Sequence, residues 1–304
     1  MSTKAQLDNL LGSNRLKENF NLSPYLTLRT TVIAEYYLEA ESRDDLLKAK
    51  QASVELNIPL LILGGGSNLA VLAKKVAGLV VRNKYIHKKI DETNDEYASV
   101  TVSSGYPVTK LAKELAEAGL EGLEYHFGLP GTVGGALYMN SKWTKPLSYF
   151  GDQLTSANLI DQNGREKKVD RNYFYFAYDT SSLQKTKEIV LEATFKLKKA
   201  PVNVLKEHIH FASIYRKETQ PYGVFCSGCF FQNVDGQSAG KLIDQAGLKG
   251  IRIGKFHVSD KHANFIIHDG NGEPEDLRKL LQLMKQKVYD KFKVKLEEEV
   301  IVIN

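Results

Sequence analysis

Val108, Leu111, Ala112, Leu115 and Ala116 recur at the three- and four-residue spacing of an amphipathic helix. Leu277, Leu280, Leu281, Met284 and Val288 repeat that spacing near the C-terminus. Pro274 stands near the start of this second helix, and Glu275 and Asp276 occupy its first turn, where the partial positive charge of a helix N-terminus favours acids. Between the two, Ile189, Leu191, Ala193, Phe195 and Leu197 alternate as a half-buried strand does. Short strands and helices alternate from Leu60 to Lys198, which predicts a mixed α/β unit. Lys198-Lys199-Ala200-Pro201 interrupts the pattern. A separate apolar pattern from about Asn203 onward predicts a second, small α/β domain whose last strand runs from Val294 to Ile303. The expected organisation is an N-terminal segment over 1–22, a first module over 23–200 and a C-terminal domain over 203–304.

Composition narrows the classes. A chain of 304 residues is long for one core, and 42% hydrophobic residues suffice to build two or three compact units. The net charge of +5 comes without a long basic block, which argues against a nucleic-acid binder and fits an enzyme handling anionic small molecules. Met1 to Leu22 lacks the apolar core of a signal peptide or membrane span, so a cytoplasmic protein without a membrane partner is expected. Seven histidines show no metal-ligand spacing, His208 and His210 lying on a helix that reads as solvent-facing, and no metal is expected.

Two glycine-rich stretches carry the chemistry. Gly64-Gly65-Gly66-Ser67-Asn68-Leu69 follows the strand-like run Pro59-Leu60-Leu61-Ile62-Leu63, and Gly128-Leu129-Pro130-Gly131-Thr132-Val133-Gly134-Gly135-Ala136 offers the same bare backbone later. Consecutive amides without side chains can converge on an anion. Neither stretch is followed by Gly-Lys-Ser/Thr, and the first lacks the spaced glycines of a dinucleotide fingerprint. A phosphate cradle of another kind is expected. Both cysteines lie in Cys226-Ser227-Gly228-Cys229, which by itself reads as a redox pair, half a zinc site or small buried apolar side chains.

These stretches, with Gly119-Leu120-Glu121-Gly122-Leu123-Glu124 and Met139-Asn140, resemble the flavin-binding half of the UDP-N-acetylenolpyruvoylglucosamine reductase (MurB) family. Arg216 with Gln220-Pro221, Ser238 to Asp244 and Val258 to Phe265 resemble that family's substrate domain. The resemblance runs from about Asn21 to Val302. It implies a two-part FAD-binding module of the vanillyl-alcohol-oxidase (PCMH) type, followed by a small α/β substrate-binding domain. It also implies NADPH as reductant, a UDP-sugar substrate and a place in peptidoglycan precursor synthesis. The alternative is a flavin-binding paralogue with another substrate or no catalytic activity. Gly64, Gly65, Gly66, Ser67, Asn68, Gly128, Gly131, Thr132, Gly134 and Gly135 would then hold FAD, and Tyr178, Asn233, Lys241 and Asn264 would face the substrate. His262, also in a family motif, reads first as structural.

The resemblance assigns chemistry to two residues. Gly228-Cys229-Phe230-Phe231-Gln232-Asn233 stands where the family carries a proton-donating serine or cysteine, so Cys229 is the expected donor. A thiol, with an ordinary pKa of about 8.5, stays protonated at neutral pH yet is a far better acid than an alcohol. Glu299, in Leu296-Glu297-Glu298-Glu299-Val300, is the expected second acid; sharing a strand face with Ile301 and Ile303 would raise its pKa. The chain departs from the family elsewhere. Phe176-Ala177-Tyr178-Asp179-Thr180-Ser181 has Asp179 where the family's catalytic arginine is expected. Another cation, such as Arg171 or Lys185, would have to reach the site. Gln232 replaces a frequent lysine, Thr31-Val32-Ile33 replaces Gly-Gly-Pro, and Ser141-Lys142-Trp143 replaces Ala-Gly-Ala.

Overall fold

The alternating apolar residues of Ile189–Lys199 form a strand at the middle of a six-stranded antiparallel sheet. Leu154–Ile160 flanks it on one side and Tyr97–Ser103 on the other. The helix Val108–Glu117 buries the five residues whose spacing predicted it, and Val108, Leu111 and Leu115 share a core with Phe150, Phe195 and Leu197. A second core gathers Leu7 and Leu11 from the helix Thr3–Leu11, Leu46 and Ala49 from the helix Arg43–Glu55, and Leu38, Leu79 and Val81. Arg43–Glu55 starts where Ser42 and Asp45 each satisfy the other's backbone amide. The expected run at Leu60–Leu63 is a strand, parallel to Lys75–Asn83.

In the computed structural model, which describes residues 2–304, these elements belong to a unit made of the chain up to Lys17, Tyr36–Gly65 and Gly78–Arg216. The other unit comprises Glu18–Glu35, Gly66–Ala77 and Lys217–Asn304. It packs the helix Pro274–Phe292, through Leu277, Leu280, Leu281, Met284 and Val288, with Phe230, Phe231, Phe256 and Ile266.

The structure departs from the expected boundaries in three respects. The chain changes unit after Arg216, not near residue 200, because the helix Val202–Thr219 carries it on past Pro201. Two early segments join the C-terminal unit, since Leu69–Val71 pairs in parallel with Ile301–Ile303. The last strand is only Ile301–Ile303, and Glu299 lies just before it instead of on its face. Upstream of that strand, Leu296 and Val300 are buried on one face with the period of two that a strand would have, but the stretch pairs there through an isolated bridge between Phe231 and Glu298 and not through a ladder.

His126 is fully buried, and among the described residues neither ring nitrogen has a hydrogen-bond partner. Burial, with Arg216 nearby, pushes its pKa down to about 3. A depressed folded-state pKa means that only the unfolded chain takes up a proton below about pH 6.5. His126 therefore contributes stability that is complete above pH 6.5 and is lost as pH falls toward 3. The expected slope is about 1.4 kcal/mol per pH unit in that window. Urea titrations from pH 7 to 4 should show His126→Phe flattening the wild-type slope by that amount; parallel curves would contradict it.

Candidate active site

The two glycine stretches, far apart in sequence, meet in the first unit. A Cβ on Gly65 would fall 2.6 Å from the Gly131 Cα, and one on Gly64 would fall 2.5 Å from the Thr132 hydroxyl. Only glycine permits this approach of two backbones. The second stretch is tied down by Val108 N–H donating to the Gly131 carbonyl (3.1 Å) and Val133 N–H donating to the Tyr106 carbonyl (2.9 Å). Gly134 plays another part than expected. Its amide donates to the Ser104 carbonyl (2.8 Å) and its Cα packs against Ser104, so it serves the fold, while Gly135 is exposed.

Arg216, which the sequence grouped with the substrate domain, belongs to this first unit and packs on Gly128. Its Nε donates to the Phe127 carbonyl (3.2 Å) and its guanidinium lies over the Trp143 ring, 5.0 Å from the centroid. Its Nη2 is buried without a hydrogen-bond partner among the described residues, and desolvation pushes its pKa down to about 10. A buried cation with an unused donor beside a glycine-rich loop is half of an anion site. Its position in an unremarkable helix left no local signal of this.

The second unit joins the end of the first glycine stretch to both expected acids. Gly66 (φ +62°) leaves no room for a Cβ, which would lie 2.1 Å from the Tyr25 carbonyl. Asn68 accepts a bond from Ile301 N–H (2.9 Å) and its side-chain amide donates to the Glu299 carbonyl (3.3 Å). Glu299 N–H donates to the Phe230 carbonyl (2.8 Å), so the residue after Cys229 is paired with Glu299. Cys229 and Glu299 are both half-buried, and Ser67, also half-buried, is next to Asn68. Glu298 pairs with Lys285 (2.6 Å) and Glu297 is exposed, whereas Glu299 is half-buried and pairs with the residue that follows Cys229.

The remaining expected residues fall into different settings. Asn264 is buried, and its side-chain amide both accepts from Phe231 N–H (3.0 Å) and donates to the Phe231 carbonyl (2.8 Å). It braces the Cys229–Phe231 segment instead of presenting itself to a ligand. Asn233 is exposed and its Oδ1 accepts from Ala239 N–H (3.0 Å), while Lys241 is exposed on the helix Ala239–Gln245. His262 Nδ1 accepts from Asn264 N–H (3.2 Å), a structural use. His208 is not simply solvent-facing: it stacks on Tyr125 at 4.7 Å and lies 3.4 Å from buried Glu124. Both cysteines are free thiols, and burial pushes the Cys226 pKa up. Of the cations considered as replacements, Arg171 donates to the Gly151 carbonyl (2.9 Å) and Lys185 is exposed. Tyr178 instead meets Lys142, whose ammonium sits 3.4 Å from its ring centroid.

The meeting of Gly64 and Gly65 with Gly131 and Thr132, and the orphaned Arg216 donor, suit a flavin dinucleotide, whose pyrophosphate needs close backbone and a cation. Residues 34–170 match the FAD binding domain model, and residues 220–303 match that of the UDP-N-acetylenolpyruvoylglucosamine reductase C-terminal domain. The reductase of that name from Anoxybacillus flavithermus is 33% identical over 95% of this chain and 94% of its own length. The Bacillus subtilis reductase is 32% identical over 94% and 93%. The crystal structure of the Thermus caldophilus reductase superposes with a TM-score of 0.80 at 31% identity, covering 95% of this chain and 99% of that one. Identity of this extent over both modules makes the chain a member of the UDP-N-acetylenolpyruvoylglucosamine reductase family.

Proposed function

We infer that this protein reduces UDP-N-acetylglucosamine enolpyruvate to UDP-N-acetylmuramate, drawing on NADPH, in peptidoglycan precursor synthesis. The observation that carries the reading is the backbone pairing of the Cys229–Phe230 segment with Glu299, itself held by Asn68 from the first glycine stretch. Gly64, Gly65, Gly131, Thr132 and Arg216 would hold the phosphates of FAD, which when bound would supply the hydride for the enolpyruvyl double bond. Cys229 keeps a proton at Sγ for the carbon that becomes the lactyl centre, and Glu299 stands as the second acid. Tyr178, Asn233 and Lys241 are the proposed substrate contacts. Asn264 acts through Phe231, as a positioning residue. The modest positive charge suits a UDP-sugar better than a nucleic acid, and among the described residues no helix is long and apolar enough to cross a membrane. We place the reaction in the cytoplasm.

The test is anaerobic. The flavin is reduced with NADPH, UDP-N-acetylglucosamine enolpyruvate is added, and the flavin absorbance is followed. Reoxidation within seconds, with UDP-N-acetylmuramate as product, is expected. Asp179, in place of the expected arginine, favours the competing reading of a paralogue with another substrate. That reading predicts a flavin that NADPH reduces and the UDP-sugar leaves reduced.

A further inference from the structure

Two departures that stand 37 residues apart in sequence, Lys142 and Asp179, face each other in the first unit: the Lys142 ammonium donates to Asp179 Oδ2 at 3.0 Å. Their side chains are 19% and 5% exposed. A pair so far from water gains little stability over apolar residues of the same size, because desolvation offsets the attraction. Its geometry is nevertheless closely held. Asn140, at a left-handed φ of 46°, donates to the Ala177 carbonyl (3.0 Å) and accepts from Gly151 N–H (3.3 Å), tying together the segments that carry the pair. Asp179 is itself at φ 51°, a conformation uncommon for a residue with a side chain, and Gln184 holds its carbonyl at 2.9 Å. Burial alone would lower the Lys142 pKa, but Tyr178 and Asp179 outweigh it and the net shift is upward.

An ammonium has three donors. Asp179 takes one, and the Tyr178 ring face attracts the charge. A third remains for a ligand. Lys142 also lies against Tyr178, one of the proposed substrate contacts, its ammonium 3.4 Å from the ring centroid.

We propose that Lys142 is a catalytic residue of this enzyme, its ammonium binding the carboxylate of the enolpyruvyl substrate and stabilising the anion formed there during reduction. The proposal rests on the function inferred above. Hydride adds to the terminal carbon and breaks the carbon–carbon π bond, whose electron pair moves onto the neighbouring carbon and its carboxylate. A proton from Cys229 then completes the lactyl ether. Lys142 meets the charge between these two events, while Asp179 and Tyr178 keep it in place. An aspartate at position 179 is thus the anchor of a relocated cation.

Wild-type enzyme, Lys142→Met and Lys142→Arg are photoreduced without oxygen and mixed with UDP-N-acetylglucosamine enolpyruvate. Lys142→Met is expected to bind FAD normally and to slow reoxidation about 10²- to 10³-fold, the usual loss when one oxyanion donor is removed. Lys142→Arg should recover to within about tenfold of wild type. Because Lys142→Met strands a buried carboxylate, the double variant Lys142→Met/Asp179→Asn, which removes both charges, is measured alongside and should be equally slow. As a second readout, affinity of the oxidised enzyme for UDP-N-acetylmuramate should fall about tenfold in the double variant while affinity for UDP is unchanged. Reoxidation within about threefold of wild type in the double variant, or an equal loss of affinity for both nucleotides, overturns the assignment of Lys142 alone. A wild-type enzyme that the substrate does not reoxidise overturns the proposed function and this assignment with it.

Discussion

Cys229→Ala is expected to lower the yield of UDP-N-acetylmuramate in a single turnover by about 10²- to 10⁴-fold in rate, the range for removing a positioned general acid. The site explains why the loss should be confined to that step. Cys229 follows Gly228, whose φ of +76° turns the chain, and its backbone bridges to Phe265, while the next residue, Phe230, donates its N–H to the Asn264 carbonyl and accepts from Glu299 N–H, both through main-chain groups. Truncating the thiol removes one atom and none of those bonds. Flavin content and reduction by NADPH should therefore match wild type. Cys229→Ser keeps a donor of much higher pKa and should fall between the two. The decisive comparison is product formation by stopped flow and quench. If Cys229→Ala forms product at the wild-type rate, the proton comes from elsewhere and Glu299 becomes the first candidate.

Arg216→Met should move two properties in opposite directions. Losing a charge-assisted bond to the cofactor's phosphates, worth about 1.5–3 kcal/mol, should weaken FAD binding roughly 10- to 100-fold. The apoprotein should become more stable. The guanidinium is largely buried, its Nη2 has no partner among the described residues and desolvation depresses its pKa to about 10. The contact with Trp143 returns only about 0.5–2 kcal/mol, less than the several kcal/mol that a buried unpaired ion costs. Methionine keeps much of the apolar stem. FAD titration of the apoprotein and urea unfolding of the same samples check both signs. A destabilised apoprotein with unchanged FAD affinity would show that Arg216 is a packing residue only.

Periodicity was sufficient wherever one element met one core. The helices Val108–Glu117 and Pro274–Phe292 and the strand Ile189–Lys199 were legible because their buried residues repeat at the element's own period. Glycine runs likewise announced themselves, since bare backbone has few uses. The same logic overran for Val294 to Ile303, where Leu296 and Val300 keep a strand's period of two but the ladder pairing reaches only Ile301–Ile303, and it failed for His208, which stacks on Tyr125 from another element. Gly134 looked like its neighbours until its amide was found bonded to Ser104.

The family and its flavin were therefore legible in the sequence, because the glycine stretches and neighbouring motifs depend on residue types at short spacings, while Cys229 and Glu299 entered as expectations that the family resemblance implies. Which distant residues meet was decided only by tertiary structure. Gly65 against Gly131, Arg216 against Gly128, Asn68 against Glu299 and Lys142 against Asp179 are all contacts between segments far apart in the chain. Seen singly along the sequence, Lys142 and Asp179 are unrelated departures; paired in space they are one ion pair, because a charge is assigned its role by what lies within a few ångströms of it and not by its neighbours in the chain.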